Sequence, residues 1–353
     1  MKHRLLIATL ISSLPLVVPV RAADNLVLTR FHDYLDSLRV QTGIPGLAAT
    51  IVSATDVSWE GVYGYQDVSR HIAVTGNTTF EIDGLTQYFV ASLALRCHDS
   101  GWISIDDLVA KYEPSSPDAG ATLRMLMTHT SMGPNGLVFA YRLDRLAPMA
   151  SATSVCTNSS FRYGMSEFLH RMGMLDSVPG SDTAGLAPGT EEFDGETLSR
   201  YAGLVANLAV PYAVDASGKS SASVYRASTL TPSSGMISTV RDLAKFDLAL
   251  KSSGLVMRPA TLAMAWSAPA NLSGQPLPHG IGWFVQTYQG EPVVWQFGQA
   301  DNTSSSMVIT LPVRGLTLIM LANSAGLAQG FNLAAGDLTA SPFARLFLEL
   351  FVR

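Results

Sequence analysis

The stretch FEIDGLTQYFVA, residues 80–91, reads as a strand end turning into a helix, a place where a nucleophile could be displayed, yet the turn offers Gly84 and Gln87. A helical serine needs a base three or four residues on, because that spacing returns to the same face. The chain has five lysines, Lys2, Lys111, Lys219, Lys245 and Lys251, and the residues three before the last four are Leu108, Ala216, Asp242 and Leu248. No Ser/Thr-x-x-Lys follows from that, and no GxSxG elbow is present either. Glu81 and Asp83, two apart, suggest paired-carboxyl acid/base work, but the turn at Asp83 breaks a shared strand face; a helix N-cap is the plainer role for Asp83. THTS, Thr128–Ser131, sets a histidine among hydroxyls, a pairing that can serve nucleophilic catalysis. Asp106 and Asp107 read as carboxylates that cap a helix and hold a loop. With no CxxC, no HExxH and seven scattered histidines, nothing calls for a metal or another cofactor.

These groups sit in a chain of 353 residues that is 47% hydrophobic and 14% charged, enough for one large domain or two interleaved ones. A net charge of -5 without basic runs argues against a nucleic-acid partner. The first 23 residues have a basic start, an apolar run broken by Pro15 and Pro19, and small residues at Ala22 and Ala23; a cleaved export signal is expected, an uncleaved anchor being the other reading. No later segment is long and apolar enough to span a membrane. Cys97 and Cys156 could pair in an exported protein or remain buried thiols.

Apolar residues recur at helical spacing over 25–42 and 85–97, ended by GIPG and by Ser100-Gly101. LAATIVSA and VSWEGVYGYQDV read as a β-hairpin, and strands return in GIGWFVQTYQG, PVVWQFG, SSMVITLPV and LTLIMLAN before the amphipathic helix PFARLFLELFV. Helices and Pro/Gly-rich loops fill the middle. The expected division is a sheet domain from residues 24–100 and 250–353, with a mostly helical insert at 101–249.

The stretches GIPGLAATIV, VYGYQDVSRHIAVTGNTTFEI, DSGWISIDDLVAKY, TLRMLMTHTSMG, RMGMLDS, SSGMISTVRDLAKF, GIGWFV and VVWQFG, the last continued by SSSMVITLP and GLTLIMLANS, resemble, in that order, the serine β-lactamase and penicillin-binding protein family. The nearest branch is that of class C β-lactamases, D-alanyl-D-alanine peptidases and related esterases. The resemblance spans about residues 43–324 and implies an α/β fold, an antiparallel sheet flanked by helices with an all-helical insertion. It also implies four chemical parts: a serine opening a helix, a lysine one turn later, a tyrosine-x-asparagine element, and a Lys/His-x-Gly segment on an edge strand.

Matched position by position, the serine falls on Gly84 and the lysine on Gln87; glycine has no side chain to attack with, and an amide accepts no proton near neutral pH. FAYRL supplies Tyr141 but puts Leu143 at the asparagine position, and Pro148 interrupts the segment that follows. WQFG keeps Gly298 but puts Gln296 at the basic position. Of the catalytic side chains Tyr141 alone keeps its identity, as a relay or as a packing aromatic. Gln299, Asp301 and Asn302 could line the cleft.

The leading expectation is an exported, non-hydrolytic relative whose cleft could take a small ligand or a cell-wall peptide. One alternative is an active serine hydrolase with a rearranged nucleophile such as Ser92, Ser131 or Ser304, although Ser92 lies roughly 12 Å along the helix from Gly84. Another is an interaction or scaffold protein with a vestigial cleft, which bulky Leu143 would fill. Oligomeric state is left open.

Overall fold

The computed structural model describes residues 21–225, 229–252 and 254–352. Residues 1–20 of the expected export signal lie outside them. In chain order the elements are α1 (Arg21–Gln41), β1 (Gly46–Val52), β2 (Val57–Asp67), β3 (Ile72–Ala73), β4 (Phe80–Glu81), α2 (Thr86–Asp99), α3 (Leu123–Met127), β5 (Thr130–Gly133) and β6 (Gly136–Phe139). They continue with α4 (Met149–Thr157), α5 (Phe161–Arg171), β7 (Val178–Pro179), α6 (Gly195–Ala206), β8 (Tyr212–Val214), β9 (Ser220–Ala222) and β10 (Met236–Ser238). The last are α7 (Val240–Lys251), α8 (Pro259–Ala265), β11 (Phe284–Tyr288), β12 (Glu291–Ala300), β13 (Ser304–Leu311), β14 (Leu316–Ala322) and α9 (Pro342–Phe351). A single 3₁₀ turn, Asp83–Leu85, runs directly into α2.

The main sheet has the order β11-β12-β13-β14-β1-β2-β3 and is antiparallel throughout, so the expected fold is the one observed. Its middle is buried on both faces, and alternation divides the side chains between two cores. On β1, Leu47, Ala49 and Ile51 meet Phe31, Leu35, Phe343 and Phe347 of α1 and α9. Ala48 and Val52 point the other way, into the core that holds Phe89 of α2 and Phe246 of α7. The strand periodicity thus fixes where α2 lies, and with it the turn that opens α2.

Four expectations are corrected or resolved. Strand β12, which carries WQFG, is second in the sheet order and not the outermost strand, but β11 pairs with it only as far as Trp295, so Gln296–Gly298 have β13 as their one ladder partner; the register, invisible in single-strand periodicity, decides this. Pro148 does not interrupt a helix; it is the N-cap residue of α4, where a missing N–H costs nothing. Asp83 is not the N-cap of α2: it lies inside the 3₁₀ turn at φ +49°, and its carboxylate is engaged elsewhere. Cys97 and Cys156 form a disulfide that ties α2 to α4.

The two cysteines are 59 residues apart in sequence. Opening a loop of that length removes about 4 kcal/mol of stability in the chain-entropy account. Urea unfolding of Cys97→Ala/Cys156→Ala should register a loss of that order, whereas an unchanged midpoint would mean that the helix contacts alone hold the domain together.

Candidate functional site

The turn Asp83–Leu85 is pressed against β12 and β13, and one glycine makes the approach feasible. A Cβ on Gly298 would lie 2.1 Å from Ile82 O and 2.8 Å from Leu85 N, both backbone atoms that cannot swing aside. Ser306 Oγ donates to Ile82 O at 2.7 Å and pins the same contact. We expect Gly298→Ala to cost about 3 kcal/mol, an overpacking penalty; equilibrium unfolding checks it, and Gly84→Ala, whose Cβ would meet Leu143 Cδ1 at 3.3 Å, should cost much less.

Around Gly84 there is room for a Cβ but the neighbours are close. A side chain there would point at Leu143 Cδ1, at Phe297 O (3.4 Å) and at Gly298 Cα (3.6 Å). Gly84 and Gln87 are both buried. One turn on, Gln87 Nε2 donates to Tyr141 Oη at 2.7 Å, and Gln87 Oε1 lies 2.8 Å from His129 Nε2. The Arg142 N–H donates to His129 Nδ1 at 3.2 Å, so the ring proton sits on Nε2 and is given to Gln87. The amide therefore meets a donor on one side and an acceptor on the other, a match that neither lysine nor glutamate could make without moving a proton.

A second amide–imidazole pair lies behind the first. Gln296 Nε2 donates to Gly282 O at 3.1 Å and lies 3.1 Å from His279 Nε2. His279 Nδ1 donates to Gly280 O at 2.7 Å, which leaves its Nε2 as the acceptor. The two imidazoles meet edge to face at 4.7 Å. Burial pushes His129 down to about 4 and His279 well below its usual value, the second also through repulsion from the first. Tyr141 stacks on Phe297 at 5.6 Å, and burial holds its phenol well above the usual range, so it stays protonated. The centre is a neutral network of two amides, two imidazoles and a phenol.

Beneath the turn lies a buried pair of acids. Asp83 accepts a hydrogen bond from Ser304 Oγ at 2.6 Å, and Glu81 Oε1 has no partner. Burial raises Asp83 to about 7, and burial together with Asp83 raises Glu81 to about 8. Both side chains are almost fully enclosed, at 5% and 3% exposure.

The serines suited to a rearranged nucleophile are dispersed. Ser92 is buried and donates to Tyr88 O, a backbone carbonyl that cannot act as a base. Ser304 is buried against Asp83, and Ser131 is exposed on β5. At the rim, Gln299 is half-buried and donates to exposed Asp301 at 3.3 Å. The structure thus joins Gln87, Tyr141 and Gln296 through two histidines, with Gly84, Leu143 and Gly298 packed beside them, and puts Gln299 and Asp301 outside. His279 belongs to no motif, and the only hint of it is its place just ahead of GIGWFV. Asp107 holds a loop as expected, accepting from Ser104 N, Lys111 and Tyr112, while Asp106 pairs with Arg124. Among the described residues no cluster of His, Cys, Asp and Glu could hold a metal, and no helix is long and apolar enough to cross a membrane.

A family model described as Beta-lactamase matches residues 30–152 and 157–338. Protein flp of Staphylococcus aureus is 28% identical over 100 residues, 27% of this chain; the match spans a fifth (20%) of that relative's length. Among solved structures, the octameric penicillin-binding protein homologue from Pyrococcus abyssi superposes with a TM-score of 0.70 at 16% identity, over 92% of this chain and 77% of that one. The class C beta lactamase from Rhodobacter sphaeroides gives 0.67 at 16%, over 92% and 98%. The penicillin binding protein from Bacillus halodurans gives 0.66 at 15%, over 83% and 95%. At such identities these structures speak for the fold alone.

Proposed function

Because the chain belongs to the β-lactamase family, we propose that it is an exported, non-hydrolytic member, which acts by binding and whose former catalytic centre is a structural joint. The observation that carries this reading is the pairing of Gln87 with Tyr141 and His129, a satisfied neutral network where acyl transfer needs a base. Neither a nucleophile nor a cation reaches that point: Gly84 has no side chain, and Gln296 is spent on Gly282 O and His279. Leu143 favours a filled centre over an open one, which moves recognition to the outer surface. Export rests on the first 23 residues, and the disulfide accords with an oxidising compartment.

A second reading keeps a small ligand or cell-wall peptide at the rim, held without being cut, and rests on Gln299 and Asp301 just beyond Gly298. Titration with a D-alanyl-D-alanine-terminated peptide separates the two readings: binding lost in Gln299→Ala/Asp301→Ala favours the rim, and no binding favours a partner elsewhere. The core proposal is tested by turnover of a chromogenic cephalosporin and a nitrophenyl ester. Rates equal to buffer are expected; turnover abolished by Tyr141→Phe would overturn it.

A further inference from the structure

Away from the centre, a cavity of about 400 Å³ opens between the C-terminal half of α2, the end of α4 and the outer face of α5. Two arginines line it, Arg96 from α2 and Arg171 from the last turn of α5, and Glu167 is the single carboxylate among the lining residues. Neither guanidinium is in a salt bridge among the described residues. Arg96 spends one N–H on Leu255 O at 2.7 Å, which leaves most of its five donors unused. Burial and repulsion from Arg171 both act against its charge. Two cations that repel each other in a half-enclosed space are stabilised most simply by an anion between them. Trp102, 63% exposed, and Tyr163 supply flat apolar walls.

We propose that this cavity is a binding site for a small ligand with an oxyanion head and a planar apolar body, the head held by Arg96 and Arg171 and the body lying against Trp102. The volume is within the range of small-molecule sites. Cys156 lines the cavity, and its disulfide to Cys97 fixes α2 against α4 beside Arg96. Glu167 opposes the ligand, being one helical turn before Arg171.

The test is titration of the intact protein, labelled with ¹⁵N at its tryptophan indoles, with phenyl phosphate; the Trp102 signal is identified by its loss in Trp102→Phe. The Trp102 signal should shift and saturate, inorganic phosphate should bind more weakly, and Arg171→Gln should raise the Kd about tenfold, the loss of one charge-assisted contact. Glu167→Gln should tighten binding. Arg171 is exposed, so its variant tests the head group without disturbing the core. A Trp102 signal unmoved at millimolar phenyl phosphate, or a Kd unchanged in Arg171→Gln, overturns the proposal.

Discussion

Gly84→Ser/Gln87→Lys, which rebuilds the Ser-x-x-Lys spacing, yields a less stable protein that takes up no penicillin. The new lysine replaces an amide that donates to Tyr141 Oη and accepts from His129 Nε2. An ammonium only donates, so the His129 proton loses its acceptor and a buried charge faces a neutral imidazole. No carboxylate lies within the network to compensate. An unpaired charge in such a place costs roughly 3–5 kcal/mol, or the lysine gives up its proton at a similar cost. The serine side chain would be packed closely against Leu143 Cδ1 and the β12 backbone. Urea unfolding should show the loss and intact mass no adduct. Substantial acylation would mean that the surrounding centre is still organised for chemistry.

The stability of the wild-type protein should peak between roughly pH 4.5 and 6.5 and fall on either side, and this region contributes to both limbs. Glu81 goes from 4.5 to about 8 on folding and Asp83 from 3.8 to about 7. The folded state thus keeps protons that the unfolded chain has released. This contribution is complete at low pH and is lost as pH rises toward 8. His129 runs the other way, from 6.5 down to about 4, and His279 moves in the same direction; the unfolded chain takes up protons that the fold refuses, so stability falls below 6.5. Between the two limits the slopes oppose each other.

For Glu81 the alkaline limb is on the order of 5 kcal/mol, because each tenfold gain in proton affinity on folding is worth about 1.4 kcal/mol. Glu81→Gln/Asp83→Asn mimics the protonated acids, and Asn accepts the positive φ at position 83 readily. The variant should match the wild type near pH 3.5, below both unfolded-state values, and exceed it by several kcal/mol at pH 8.5. Parallel stability curves across that range would contradict the assignment.

The parts of the fold legible in the sequence are those written in the local pattern: short apolar, β-rich runs on β1 and β14, helical spacing on α2, and the amphipathic α9. The centre was legible at Gly84 and Gln87 because a three-residue spacing is a local quantity, and bulky Leu143 already pointed to a filled cleft. Contacts across long separations were not legible. Asp83 is drawn out of a capping role by Ser304, 221 residues away, and no local rule anticipates that. The place of β12 inside the sheet depends on β11, a five-residue strand whose partner register only the assembled ladder reveals. His279 is a lone histidine until Gln296 meets it from the neighbouring strand. Cys97 and Cys156 gave two open readings because sequence distance does not report proximity.

The central claim is that the described centre cannot be acylated, and intact-mass spectrometry of the purified protein, after incubation with a reactive penicillin and separately with a fluorophosphonate, tests it most directly. An unchanged mass with both reagents is the predicted result. A stoichiometric adduct, mapped to any serine, would contradict it and identify a nucleophile.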